Sequence, residues 1–429
     1  MKRALSLIAA IALMTGVFAA CGQNNSAGDG TAGSTAAQTQ GSSKAEELKG
    51  KIEFFQMKRE AVDTFDAIIE KFQQDNPGIT VEQNSIPDAS QVLTTRMASN
   101  DAPDVFTHWP DRAEYKVLID EGYVLDLSGE SFMSGINPAI LDMIKYNGKS
   151  YMVPIALNAM GVFYNADQFN ELGLTVPNTY SEFVQLLEKV KAAGKTPLML
   201  PDKDAWTIEQ SSCLLTGTWL PDIEGFYTKL QKGEISAKDE PMYKRQAEVL
   251  LELRNYGQKD TLGTGYDQAI GEFATGKSVM FLQGIWAIPS IKKANPDLQF
   301  AMFPFPGEKA EDTKTVVGVD SAVAISAEGK NLDISKKFVS FIASKDAGQI
   351  YADLDGSPSA ITGVETKVKE YQALVDLMNN GKTFKYPYDY WKAGALDEDF
   401  KSVQNLIADK NVDEYLARQD KIFKGMANN

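Results

Sequence analysis

The chain has 429 residues, of which 43% are hydrophobic, and a formal net charge of −15. That acidity repels phosphate backbones and acidic lipid headgroups, which excludes nucleic acid as a partner and leaves a self-repelling surface. The length allows two folded lobes with full cores, and two cysteines are too few for a disulfide framework.

Residues 1–21 read as a targeting segment rather than as fold. Lys2 and Arg3 form a basic start, 4–17 an apolar core, and small residues lead up to Cys21. The apolar run is too short and wrongly flanked for a bilayer-spanning helix. The ending FAAC resembles the lipobox of bacterial lipoproteins, which implies a diacylated Cys21 and a stable anchor in the membrane. Phe18 departs from the Leu usual in that pattern, and plain secretion with cleavage after Ala20 is the alternative. Residues 22–43 carry no large apolar side chain, so 22–48 is expected to be a flexible tether. Cys213 is then left without a partner.

The body opens with a strand at 51–55 and a helix at 63–74 that puts Phe65, Ile68, Ile69 and Phe72 on one face. Asn76-Pro77-Gly78 stops that helix. A strand at 79–83, a helix at 91–98 and a strand at 102–106 follow. Such alternation specifies a parallel sheet with helices on its faces, whose ligands sit beyond the carboxyl ends of the strands. Those ends are 56–59, 85–88 and 108–112. Two extended runs come next, 151–157, where Pro154 rules out a helix interior, and 160–164. Thr179 and Glu182 have the spacing of a capping box, and Phe183, Leu186, Leu187 and Val190 form an apolar helix face. Gly194 supplies the stop, and 196–200 reads as a buried strand. Helices are expected at 204–219 and 243–256. Another ends at Gly276 and leads into a strand at 278–282, with Trp286 just beyond. An extended run at 316–326 and helices at 334–344, 397–409 and 412–423 complete the chain.

Several of these stretches resemble the extracellular sugar-binding proteins of ABC importers, the maltose-binding-protein family. In 151–200 an aromatic and a Val-Pro are followed by Tyr-Asn, Gly-Leu, Pro-Asn-Thr and an amphipathic helix, similar to the family's first hinge crossing. APDVF (102–106) resembles its PDV strand, and FATGKSVMFLQGIW (273–286) its F-x-x-G-K-x-x-M then G-x-W signature. VVGVDSAVAIS (316–326) and DAGQIYADLDGSPSA (346–360) resemble the second and third crossings. The resemblance implies an α/β, periplasmic-binding-protein-like fold. Two α/β lobes, 49–157 plus 317–355 and 158–316 plus 356–429, would be joined by a multi-crossing hinge with a ligand cleft between them. It further implies a mono- or oligosaccharide ligand, a membrane permease as partner, a monomer held at the outer face of the bacterial cytoplasmic membrane, and no cofactor or metal.

Residues 271–278, GEFATGKS, match the phosphate-binding pattern GxxxxGK[ST] letter for letter. That loop works by following a strand and opening a helix, which points backbone N–H groups at the anion. Here a helix precedes and a strand follows, so the match carries no nucleotide site. His108 is the only histidine, there is no GxSxG, and no local signature singles out a carboxylate pair, so the sequence holds no catalytic constellation. Two alternatives stay open: a secreted glycan-active enzyme, and a protein of the same fold that binds a polyamine or organic anion.

The aromatic residues are more informative. Indole rings stack on the C–H faces of sugar rings, and hydroxyls call for Asp, Glu, Asn or Arg. Trp109, Trp206, Trp286 and Trp391 each lie at a strand end or loop beside a polar residue, whereas Trp219 sits in the apolar run CLLTGTWL and reads as core. By the resemblance, Trp286 leads the ligand-binding candidates, followed by Trp206 and by Trp391 or its neighbour Tyr390. His108, rather than Trp109, matches the relatives' stacking aromatic, and Asp111 and Arg112 match ligand-binding positions. Asn158 stands where a relative has a sugar-bonding Glu, which implies a neutral ligand. Gln56, Lys58 and Glu60 after the first strand, Asp320 after the returning crossing, and Asp355 before Gly356 complete the set. Each of these has a surface or hinge role as its competing reading.

Overall fold

In the computed structural model, residues 48–86 and 89–424 are described; the expected targeting segment, Cys21, all of the expected tether before Leu48, and residues 87–88 of one expected strand end lie outside them. The strands are β1 (Gly50–Phe55), β2 (Ile79–Asn84), β3 (Val105–His108), β4 (Val153–Asn165), β5 (Thr196–Met199), β6 (Ser278–Gly284), β7 (Phe300–Phe303), β8 (Thr315–Ile325) and β9 (Thr383–Phe384). They form one path in the order β2-β1-β3-β8-β4-β6-β5, with β7 on β4 and β9 on β8. β1 pairs in parallel with β2 and β3, as the alternation of strands and helices requires.

Alternation along the strands splits the first part of this sheet between two cores. Ile52, Phe54, Val105, Val323 and Ile325 face one cluster, and Phe55, Phe106, Ala322 and Ala324 face the other. The helix Val62–Asp75 buries Phe65, Ile68, Ile69 and Phe72 on the first cluster. Phe65 meets Phe54 edge-on at 4.9 Å, and Phe72 meets Phe338 at 5.1 Å. Full burial of side chains of this size stabilises by roughly 1.5–3 kcal/mol each. A third and larger cluster gathers 159–305, Val316 and residues from Tyr371 to Phe423.

Only β4 and β8 run through both parts. The first half of β4 pairs antiparallel with β8, from Val153↔Val323 to Ala159↔Val317, and its second half pairs with β6 and β7. The two extended runs expected at 151–157 and 160–164 are therefore one strand. Pro154 does not end it, because the register shifts just beyond, where the ring has no N–H to donate. Past the helix Lys345–Asp355, Gly356 takes a left-handed φ of 82° and closes the helix. Ala360, Ile361 and Val364 still pack on the first two clusters, whereas Val368 and Tyr371 pack on the third.

Two local expectations shift. The strand expected at 102–106 begins at Val105, because Pro103 lacks a donor and the Asp104 carboxylate accepts from the N–H of Glu53 at 2.9 Å. At the helix Tyr180–Ala192, Thr179 Oγ1 accepts from Glu182 N–H at 3.3 Å, but the Glu182 carboxylate reaches back to Asn178 N–H at 2.7 Å instead of Thr179. Residues 271–278 run from the helix Tyr266–Ala274 into β6, the reverse of a phosphate loop.

Candidate functional site

Beyond the carboxyl ends of β1 and β3 lies a cavity of about 770 Å³. Its first wall is built from Met57 to Glu60, Ile86, His108, Trp109 and Arg112; Asn158 and Asp320 of the two long strands form its floor. Lys58 extends from the end of β1 and is 5% exposed. Its Nζ lies 2.5 Å from Asp320 Oδ2, 2.7 Å from Asp355 Oδ2 and 3.1 Å from the Tyr351 hydroxyl. Burial opposes the ammonium charge, yet Asp320 and Asp355 outweigh it and hold Lys58 protonated well above the usual lysine range. Lys58 and Asp320 thus reach the cavity with their charges matched to each other. Asp355 stands behind them, off the wall.

Glu60 faces the Tyr266 hydroxyl, and burial raises its pKa. His108 is 4% exposed, with its ring 5.2 Å from Tyr115. Burial, helped by the nearby Arg112 charge, lowers its pKa to about 4, so the imidazole is neutral near pH 7. Asn158 Oδ1 accepts from Gly318 N–H at 3.1 Å, which ties β4 to β8 at the cavity floor. Asp111 is turned from the wall, with its Oδ1 buried and unpartnered. Gln56 also lies off the wall, fully buried, with its amide donating to Gln83 at 3.3 Å.

The opposite wall is aromatic. Trp286 sits on the short turn Ile285–Ala287 that follows β6 and is 8% exposed. Its indole folds back over Gly284, where an added Cβ would come within 2.1 Å of the ring. Gly284 has an ordinary extended backbone, φ −87° and ψ 163°, so glycine is needed there for ring clearance rather than for a sharp turn. Trp206 opens the helix Ala205–Trp219 and meets Tyr266 edge-on at 4.8 Å. Asp204 locks that pair by accepting the Tyr266 backbone N–H at 2.6 Å.

From YPYDYW the residues that line the cavity are Tyr386 and Tyr388, stacked at 4.6 Å. Trp391 is turned inward, against Tyr227 at 5.5 Å and Phe423 at 5.1 Å, and belongs to the core. Tyr390 is half-buried beside that core, with its carbonyl accepting from Gln231. The short turn Pro387–Tyr390 produces this division by rotating successive side chains away from one face. Trp219 is core, as expected, packed against Tyr180 at 5.1 Å.

Nine expected residues therefore share the cavity: Lys58, Glu60, His108, Trp109, Arg112, Asn158, Trp206, Trp286 and Asp320. Gln56, Asp111, Asp355, Tyr390 and Trp391 do not. Tyr266, Gln210, Tyr386 and Tyr388 line the cavity without having been singled out. Three atoms of the lining residues are buried with no hydrogen-bond partner among the described residues: Arg112 Nη1, Gln210 Oε1 and the Tyr386 hydroxyl. Leaving such groups unpaired is costly, and being buried they are not themselves open to the cavity. Among the described residues no group of three or more His, Cys, Asp or Glu is placed to hold a metal.

The family of bacterial extracellular solute-binding proteins matches residues 59–349. The chain belongs to this family. A multiple sugar-binding protein of Streptococcus mutans is 34% identical over 374 residues, 86% of this chain and 89% of that protein. RafE in complex with raffinose superposes with a TM-score of 0.80 at 29% identity, covering 88% of this chain and all of that one. The ligand-free form of RafE from Streptococcus pneumoniae, at 30% identity and similar coverage, gives 0.72. The fold is accordingly that of the periplasmic-binding-protein type, and this solute-binding protein is not an enzyme. No helix among the described residues is long and apolar enough to cross a membrane.

Proposed function

We propose that this solute-binding protein captures a small neutral oligosaccharide of the raffinose class and hands it to the permease of an ABC importer. The observation that carries the reading is the meeting in one cavity of the aromatic side chains of Trp206 and Trp286 with polar ones such as Arg112, Asn158 and Gln210. Ring faces take the C–H surface of a sugar, and polar side chains take its hydroxyls. A volume of about 770 Å³ falls in the range of sites that enclose a small ligand.

The two lobes are 49–157 with 317–364, and 158–316 with the chain from 368 onward; β4, β8 and the segment after Gly356 are the hinge. The grouping of buried residues into separate cores supports this division. The better superposition on raffinose-bound than on ligand-free RafE supports a closed arrangement of the lobes. Ligand contacts to both walls would favour that state by differential affinity. The protein acts as a monomer, tethered through a lipid on Cys21 at the outer face of the membrane.

Titration of intrinsic tryptophan fluorescence with raffinose, stachyose, melibiose, maltotriose and spermidine tests the reading. Saturable quenching or enhancement by the galactosides, with none by spermidine, is the expected result. Response to spermidine alone would reassign the cavity to a cationic solute. Retention of Cys21→Ala at the membrane would remove the anchor.

A further inference from the structure

We propose that Tyr388 is a positioning residue for ligand capture: it holds the Arg112 guanidinium in place for the ligand and does not itself stack on it. The inference rests on the oligosaccharide reading above. The guanidinium of Arg112 lies 3.9 Å over the centre of the Tyr388 ring. Tyr386 lies against Tyr388 with centres 4.6 Å apart and planes at 11°. Two groups so close cannot share one face without overlapping, so they cover opposite faces and Tyr388 has none left for a sugar ring. Tyr386 in turn rests on β8, where a Cβ at Gly318 would come within 3.0 Å of its ring. The result is a column, Arg112 on Tyr388 on Tyr386 on Gly318.

What Arg112 lacks points the same way. It makes no ion pair with a carboxylate among the described residues, and its Nη1 is buried without a hydrogen-bond partner. Stacking on an aromatic face orients the guanidinium plane while leaving its in-plane N–H donors free. A surface arginine paired with a carboxylate would have those donors occupied. Arg112 is therefore held by its flat face, with Nη1 buried and Nε and Nη2 left without a protein partner among the described residues, where the side chain lines the cavity. The two halves of the stack come from opposite walls, so the guanidinium is aimed only when the walls are together.

A double-mutant cycle by isothermal titration with raffinose, on the full chain, tests this. Tyr388→Phe keeps the face and is expected to bind within about twofold of wild type, whereas Tyr388→Leu weakens binding roughly tenfold. Arg112→Gln weakens it at least as much. Because Tyr388 acts through Arg112, adding Tyr388→Leu to Arg112→Gln produces little further loss. Additive losses overturn the proposal, because Tyr388 would then contact the ligand itself. Equal losses in the Phe and Leu variants overturn it in favour of the hydroxyl. A wild-type chain that binds none of the galactosides defeats the oligosaccharide reading and this inference with it, while binding with additive losses defeats the inference alone. Should Tyr388→Leu fail to fold, Gly318→Ala displaces Tyr386 from below and is expected to show the same dependence on Arg112.

Discussion

The wall carrying Lys58, Glu60, His108 and Arg112 and the wall carrying Trp206, Trp286, Tyr386 and Tyr388 face one cavity but are held by different forces. The first is polar, and its one full ion cluster is matched internally, Lys58 against Asp320 and Asp355. The second is anchored by packing, each ring wedged against a neighbour or a glycine. Charge fixed in a buried wall makes position depend on having every partner present. Rings fixed by packing can lose one member and keep the rest. Removal of a member of the Lys58 cluster should therefore act mainly on stability, and removal of a ring from the second wall mainly on affinity.

The largest expected effect comes from Lys58→Ala. It leaves Asp320 and Asp355 buried side by side without their cation, a change that typically costs about 3–5 kcal/mol. Chemical denaturation should show that loss. Adding Asp320→Asn and Asp355→Asn to Lys58→Met should recover much of it, since no uncompensated charge then remains. A Lys58→Ala chain as stable as wild type would mean that the cluster does not hold the wall.

Next in size is the pH response of the same wall. In the fold, burial holds the His108 pKa at about 4 against an ordinary 6.5. Between those values the unfolded chain binds a proton that the folded chain does not. This contribution is therefore intact above pH 6.5 and declines as pH falls toward 4, by about 3 kcal/mol in total. The difference in unfolding free energy between wild type and His108→Gln, followed from pH 7 to pH 4, should narrow by that amount. Parallel curves would assign the acid sensitivity elsewhere.

These contrasts mark where sequence reasoning reached and where it stopped. Helix faces such as Phe65, Ile68, Ile69 and Phe72 repeat at local spacing, and so do the strands that bracket the sheet's ligand edge; both are legible without tertiary contacts. Position relative to a strand end located the neighbourhood of the cavity. It did not tell Met57 and Lys58 from Gln56, because all three lie past Phe55, the end of β1, where strand alternation no longer sets the direction of a side chain. In YPYDYW the larger aromatic drew attention, but a short turn sends Trp391 into the core and Tyr386 and Tyr388 to the wall. The partners of Lys58 and Arg112 come from distant parts of the chain, and no local pattern announces such meetings. Gly284 and Gly318 have ordinary backbones, and only the rings above them explain why they lack a side chain.

The aromatic wall gives the third comparison, between two tryptophans of similar burial. Trp286→Ala removes a ring from the cavity and should weaken raffinose binding by about 1–3 kcal/mol, roughly 10- to 100-fold. Trp391→Ala hollows the core beside Tyr227 and Phe423, which should cost about 3–5 kcal/mol of stability and leave the affinity of the folded fraction intact. Calorimetric unfolding and titration on both variants separate the two roles. The reverse pattern, affinity lost at Trp391 and kept at Trp286, would exchange their assignments.

The smallest effect lies at the rim, where the contrast between walls gives way to contact across them. Arg59 pairs with Asp267 of the helix Tyr266–Ala274, and Lys293 of the helix Ile288–Ala294 lies 2.5 Å from Asp63. Both pairs join the segment after β1 to the opposite side, and all four side chains are well exposed. Exposed pairs contribute on the order of 0.2–1 kcal/mol and are screened by salt. Since they form only with the two sides together, that energy should appear in ligand affinity rather than in the stability of either side. Asp267→Asn is expected to weaken raffinose binding by no more than about fivefold at low ionic strength. At about 1 M salt, where screening reaches roughly 3 Å, the variant and wild type should bind alike. The reversed pair Asp63→Lys with Lys293→Asp should restore what either single change removes, because only the sign of each charge is exchanged. Failure of that restoration, with both single variants weakened, would mean that these residues act on closure through something other than their mutual attraction.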